Sequence, residues 1–219
     1  MKKYLYSIVI GILSVFVVSC SEKEENADNS YDNWQGRNES FINAVYSMAK
    51  DSIAAGNTNW RICPSPFKGD TVKTDVNNCI VVRVLKSSTT SDAQVMQTDS
   101  VSIHYKGYLM DTSYWGGNVA APVLKNNQVA EGSLGISFDA SWKGNYDLAS
   151  MKPYEATVNG FIPGFTTALL NMKAGDRWLV YIPYGMAYGK AGQGSIPGYS
   201  TLAFDLTLAK HSRKGFTLK

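Results

Sequence analysis

Histidine and cysteine are scarce in this chain, at two and three of 219 residues, so the soft ligands that a multi-ligand transition-metal site needs are too few. Neither sign of charge dominates. Lys and Arg number 21 against 18 Asp and Glu, and two of the cations are Lys2 and Lys3. Residues 20–219 therefore hold 19 basic and 18 acidic groups, a net of about +1, with no basic run of the kind that tracks a phosphate backbone. Nucleic acid is excluded as a partner on this count. Only one long apolar run occurs, residues 4–18, and it falls short of the roughly 20 residues that span a bilayer. What is plentiful is apolar and aromatic content, 44% and 12%, which is enough to fill a core and rules out a wholly disordered chain.

The apolar run follows Lys2-Lys3 and ends in Val17-Val18-Ser19-Cys20, the layout of a secretion signal closing on a lipobox. Residues 1–19 are read as a lipoprotein signal peptide and Cys20 as the acylated N-terminus, which places the protein in the cell envelope, lipid-anchored on the outer membrane's periplasmic or surface side. Each buried acyl CH₂ adds about 0.8 kcal/mol to such anchoring. Residues 20–31 (CSEKEENADNSY) lack apolar content and read as a flexible tether. Export leaves Cys63 and Cys79 in an oxidising compartment. They are expected either to form a disulfide closing fifteen intervening residues, worth about 3 kcal/mol, or to lie buried as thiols, with the bridge favoured.

From Asp32 the periodicity turns helical. Trp34, Phe41, Val45, Met48 and Ile53 form one stripe, Asp32 with Gln35 has capping-box spacing, and Gly56 is a stop. Residues 57–78 read as a connector, so that 32–78 is a helix plus connector. Strand signals dominate thereafter, in residues 80–85, in 101–109, and in the alternations Trp178/Val180/Ile182 and Leu202/Phe204/Leu206/Leu208. One short helix interrupts them, with Phe165, Ala168, Leu169 and Met172 on a face between Pro163-Gly164 and Ala174-Gly175. The result is an α+β layout.

Four segments carry a resemblance. SVSIHYKGYL (100–109), ISFDAS (136–141), KPYEATV (152–158) and the long stretch from VNGFIPGF (158–165) through YGMAYGKAGQGSIPGY (184–199) to FDLTLAK (204–210) stand in order. Together they resemble the FKBP family of peptidyl-prolyl cis-trans isomerases over roughly residues 80–210. The resemblance implies an antiparallel half-barrel sheet wrapped around a short helix, here with an extra N-terminal helix, in a domain of residues 79–211. It implies catalytic roles for Tyr105, Asp139, Ile162, Tyr188 and Phe204, and proline-binding roles for Phe138, Tyr154, Phe161, Phe165 and Ile196. By the same analogy the Ile162 N–H holds the carbonyl of the substrate proline and the Tyr188 hydroxyl the carbonyl before it. Asp139 either fixes Tyr105 or orients the twisted carbonyl. Partners would be unfolded or proline-containing exported proteins, with macrolide-type ligands of the pocket, and no metal or cofactor is called for.

The departures are as informative. Phe165 stands where the family has a central tryptophan, and Gln193 and Ile196-Pro197-Gly198 replace its usual loop residues. Insertions near 110–134 and 142–151 flank the FD-S motif, and both are expected to build the pocket rim. Lys143 is only a positional candidate for the family's pocket arginine. These departures keep a second reading open, a low-turnover chaperone module that binds proline segments. Leu179 and Tyr181 make the outer sheet face apolar, and the N-terminal helix or a second subunit is expected to cover it.

Overall fold

The computed structural model describes residues 29–69, 75–119, 124–125, 128–129 and 134–213. The leader, Cys20 and most of the tether lie outside them. Among the described residues there are nine strands, of which β2, β3, β8 and β9 follow the segments expected from sequence: β1 (Trp60–Pro64), β2 (Cys79–Lys86), β3 (Ser100–Leu109), β4 (Leu124–Lys125), β5 (Gln128–Val129), β6 (Ser137–Ala140), β7 (Tyr154–Thr157), β8 (Arg177–Ile182) and β9 (Leu202–Ser212). Two helices, α1 (Trp34–Ala54) and α2 (Pro163–Asn171), complete the α+β fold. The main sheet is antiparallel in the order β1-β2-β8-β9-β3-β6, with β7 pairing a second stretch of β3, while β4 and β5 form a separate ribbon.

Register assigns the faces. Tyr105 opposes Leu206, Gly107 opposes Phe204 and Trp178 opposes Leu206, so these residues share the inner face with Ile103, Leu208, Val180 and Ile182. This face wraps α2, whose Phe165, Ala168 and Leu169 are buried against it. Pro163 occupies the first turn, where its missing N–H costs nothing. Gly164 lets α2 lie against Ile182, since a Cβ there would overlap that side chain.

The outer face is also buried. Leu179 and Tyr181 are covered by α1, which packs on β1, β2 and β8 and sets Phe41 6.1 Å from Tyr181, ring to ring. The helix is pinned by polar groups as well. Trp34 Nε1 donates to Ser200 Oγ at 3.0 Å, and the Thr201 N–H donates to Asn38 Oδ1 at 2.7 Å. The expected capping box does not form. Asn33 is the N-cap, in left-handed backbone without a side-chain bond, and Gln35 bonds Glu39 instead. Ile53 leaves the stripe and is exposed, whereas Arg37 and Asn38 enter the buried side.

Three further expectations are corrected. The connector 57–78 contains β1, a five-residue edge strand ending in Pro64, the position where a missing N–H breaks no ladder. Cys63 and Cys79 are not bridged and remain buried thiols. Cys63 opposes Ile80 while Pro64 opposes Cys79, and this one-residue offset sends the two sulfurs to opposite faces. Burial pushes the Cys63 thiol up to about 11 and also raises that of Cys79, so both are held protonated. Finally, the insertions build no rim among the described residues. Tyr146 of the second lies on the outer face, bonded to Thr207 at 2.7 Å. Residues 112–115 of the first lie on α1, where Tyr114 packs on Phe41 at 5.4 Å and Arg37 stacks on Trp115 at 4.1 Å.

Candidate active site

The inner face opens at one end into a cleft of about 470 Å³. It is lined by Tyr105, Phe138, Asp139, Tyr154, Gly160, Phe161, Ile162, Phe165, Tyr188, Gln193 and Phe204. Nine of the ten residues expected in the pocket are thus together. The exception is Ile196, which is buried in the hydrophobic core and lines no part of the cleft. Its backbone, bonded both ways to Gln193 at 2.9 Å, closes the turn that presents Gln193 instead. Gly192 enters that turn at φ +72, a conformation glycine adopts freely. Gly160 and Gln193 were missed as site residues, and a polar residue on a glycine-rich turn was the only signal for the latter.

The walls are rings set edge to face. Phe165 lies 5.1 Å from Phe204 at 88° and stacks on Phe161 at 4.7 Å, while Tyr105 stands 6.1 Å from Phe165 and 5.9 Å from Tyr154. Such pairs favour these geometries because ring edges are positive and faces negative. Phe138 completes the wall 5.7 Å from Phe204. Gly107 makes the arrangement possible, because a Cβ there would stand 2.6 Å from Phe138 Cζ and 2.7 Å from Phe204 Cε1. The H-Y-x-G spacing thereby acquires a steric reason.

Phe138 and Asp139 both reach the cleft, although neighbours on a strand normally point apart. The β3–β6 register slips between Gly107 and Tyr108, leaving Phe138 as the extra residue of a bulge that turns it inward. Ser141 then locks the strand end, accepting from the Tyr105 N–H at 2.9 Å while its own N–H donates to the Tyr105 carbonyl at 2.8 Å. The Tyr105 hydroxyl donates to Asp139 Oδ2 at 2.7 Å, and the Ala140 N–H donates to Oδ1 at 2.8 Å. Burial and then Asp139 raise the pKa of Tyr105 above the ordinary tyrosine range, so the hydroxyl keeps its proton and the bond.

Two donors in the cleft are left over. Among the described residues, neither the backbone N–H of Ile162, at the N-cap of α2, nor the Tyr188 hydroxyl has a hydrogen-bond partner. Burial and, second, Asp139 raise the Tyr188 pKa, which keeps that hydroxyl a donor. An apolar cleft with two waiting donors is equipped to take up a peptide whose carbonyls would otherwise lose water.

A family model described as FKBP-type peptidyl-prolyl cis-trans isomerase matches residues 91–209, more than half of the chain. This chain belongs to that family. Among its relatives, the FKBP-type 22 kDa peptidyl-prolyl cis-trans isomerase of Escherichia coli (strain K12) is 36% identical over 113 residues, 51% of this chain and 41% of the relative. The FKBP-type peptidyl-prolyl cis-trans isomerase FkpA of the same strain is 28% identical over 204 residues, 92% of this chain and 62% of FkpA. The aligned parts thus span less than two thirds of either relative. The crystal structure of FkpA from Escherichia coli superposes with a TM-score of 0.45 at 25% identity, over 82% of this chain and 64% of that one. Within this FKBP chain, no described helix is long and apolar enough to cross a membrane.

Proposed function

We propose that this FKBP chain is a peptidyl-prolyl cis-trans isomerase that rotates Xaa-Pro bonds in exported proteins. The observation that carries the reading is the pair of unpartnered donors, Ile162 N–H and Tyr188 hydroxyl, inside a cleft walled by aromatic rings. Resonance holds the amide planar behind a barrier of about 18–20 kcal/mol. The half-rotated amide has lost that resonance and is less polar along its C–N axis. A water-excluding, ring-walled cleft therefore favours it over the planar ground state, which is catalysis by differential binding.

Proline enters between Tyr105, Phe161, Phe165 and Phe204. The Ile162 N–H takes the proline carbonyl and the Tyr188 hydroxyl the carbonyl before it, so the chain on both sides is held while the bond between turns. Asp139 acts through Tyr105, whose hydroxyl it fixes. Phe138 and Tyr154 extend the apolar wall. No covalent step and no cofactor enter this scheme.

The site of action follows from the leader. Cys20 is proposed as the lipidated N-terminus that holds the protein in the cell envelope, where uncatalysed prolyl isomerisation, taking about 10–100 s, limits folding.

Isomerisation of a short Xaa-Pro peptide, followed by two-dimensional exchange NMR, tests the activity. The full chain is expected to accelerate the exchange, and Tyr188→Phe to lower kcat/KM roughly five- to tenfold, the worth of one hydrogen bond. Peptide binding without acceleration would replace this reading with that of a low-turnover binding module. Incorporation of labelled palmitate that is abolished in Cys20→Ser tests the anchor.

A further inference from the structure

Ser141 closes the FD-S motif, lies just outside β6 and lines no part of the cleft. It is nevertheless tied to a residue that does. Lys106 opposes Ala140, so the next pair along the ladder is Tyr105 with Ser141. Opposed residues of a regular antiparallel ladder exchange two backbone bonds. Here the Ser141 N–H donates to the Tyr105 carbonyl at 2.8 Å, as a ladder requires. The Tyr105 N–H donates instead to Ser141 Oγ at 2.9 Å, so a hydroxyl takes the place of a strand carbonyl. The same hydroxyl returns its proton to the Tyr105 carbonyl at 3.4 Å.

The substitution has a cause. Beyond Ser141 the chain turns off the sheet, and buried Trp142 packs edge to face on Tyr146 at 5.3 Å, over the outer face. The three residues 139–141 thus hold Tyr105 at both ends. Ser141 holds its backbone and Asp139 Oδ2 its hydroxyl, at 2.7 Å, while the Ala140 N–H steadies Oδ1 at 2.8 Å. Between the two grips stands one ring, 5.9 Å from Tyr154, 6.1 Å from Phe165 and 6.4 Å from Phe204.

Resting on the isomerase reading, we infer that Ser141 is a positioning residue for prolyl isomerisation. Its hydroxyl fixes the Tyr105 backbone in the one register that lets the Tyr105 hydroxyl meet Asp139 and the ring wall the proline site. Alanine at 141 can neither accept nor donate, and a backbone N–H without a partner is costly. The strand regains a partner by drawing the carbonyl of residue 141 into the ladder. That shift carries Asp139 off the Tyr105 hydroxyl and lets the ring turn.

The test is a double-mutant cycle on the full-length protein, with isomerisation of a short Xaa-Pro peptide followed by exchange NMR. Ser141→Ala should lower kcat/KM about three- to tenfold, the range of one hydrogen bond. In the Tyr105→Phe background, where no hydroxyl is left to position, the same substitution should change kcat/KM by less than about twofold. The urea midpoint should fall equally in both backgrounds, because the backbone N–H of residue 105 is present in each. Ser141→Thr keeps the hydroxyl and should recover kcat/KM to within about twofold of the parent. The Tyr105 hydroxyl proton, a downfield resonance assigned by its absence in Tyr105→Phe, should vanish in Ser141→Ala and return in Ser141→Thr. Ser141→Cys, a weak acceptor of similar size, carries the same comparison if Ser141→Ala does not fold. Equal losses of kcat/KM in both backgrounds, parental kcat/KM in folded Ser141→Ala, or a loss in Ser141→Thr as large as in Ser141→Ala each overturns this inference and leaves the isomerase reading standing. A parent chain that accelerates no peptide overturns the isomerase reading itself, and the inference with it.

Discussion

The two faces of the sheet are buried by opposite means. On the inner face, rings and aliphatic side chains pack on α2 and leave one end open as the cleft. On the outer face, Arg177 and Asp205 form a buried ion pair at 2.6 Å with Tyr146 laid over the guanidinium at 3.8 Å, His104 is buried, and α1 covers Leu179 and Tyr181. Burial works against the charge of Arg177, but the bonds to Asp205 more than offset it and hold the guanidinium above its ordinary pKa. Among the described residues, 112–115 and Tyr146 of the two additions thus go to the outer side. The difference teaches that extra sequence beside a functional motif need not serve the site: here it shields a polar layer from water, and the cleft keeps its opening.

The largest expected effect comes from breaking that layer. Asp205→Ala removes the carboxylate that holds the buried Arg177 guanidinium and should cost about 3–5 kcal/mol, read as a lower urea midpoint. The folded fraction should still turn over peptide at the parent rate, because Asp205 points away from the cleft. Phe41→Ala comes next, at about 3 kcal/mol, because it empties the contact between Tyr114 and Tyr181. If kcat/KM fell along with stability in this variant, the independence of the two faces would be refuted.

The smallest effect is a pH dependence. Burial lowers the pKa of His104, whose Nδ1 has no hydrogen-bond partner among the described residues. The folded state therefore favours neutral histidine, while the unfolded chain takes up its proton near pH 6.5. The resulting contribution to stability is full above that value and is lost as pH falls from it towards the depressed folded-state pKa. Urea titrations between pH 7 and pH 5 should show a steeper loss for the parent than for His104→Leu.

The inner face was legible in the sequence because it repeats. Alternation at Trp178/Val180/Ile182 and Leu202/Phe204/Leu206/Leu208 fixes the side, and the ordered motifs bring Tyr105, Asp139, Ile162, Tyr188 and Phe204 to one place. Tyr105 sharing a side with Ile103 was also foreseeable from spacing, and of the two covers expected for Leu179 and Tyr181, the helix or a second subunit, α1 is the one that packs there. The outer layer was not. His104 reads as polar and opposite the core, and only the cover on that face makes it buried. Asn38 looks like an ordinary surface residue of a helix until Thr201, 163 positions later, bonds to it. Cysteine spacing measures a loop but says nothing about which side of a strand each sulfur takes, so the Cys63–Cys79 bridge was misjudged. Ile196 matched a motif position whose side chain serves the core while its backbone shapes the turn.

Arg37 has a mechanical consequence. Its buried guanidinium grips the carbonyls of Ser30, Asp32, Thr112 and Tyr114, two before α1 and two in the first insertion. Tension on the N-terminal segment is therefore shared at once with residues 112–114 and passed through α1 to the back of the sheet. The rings of the cleft lie off that line of force, so a pull at this end of the chain would leave the cleft in shape.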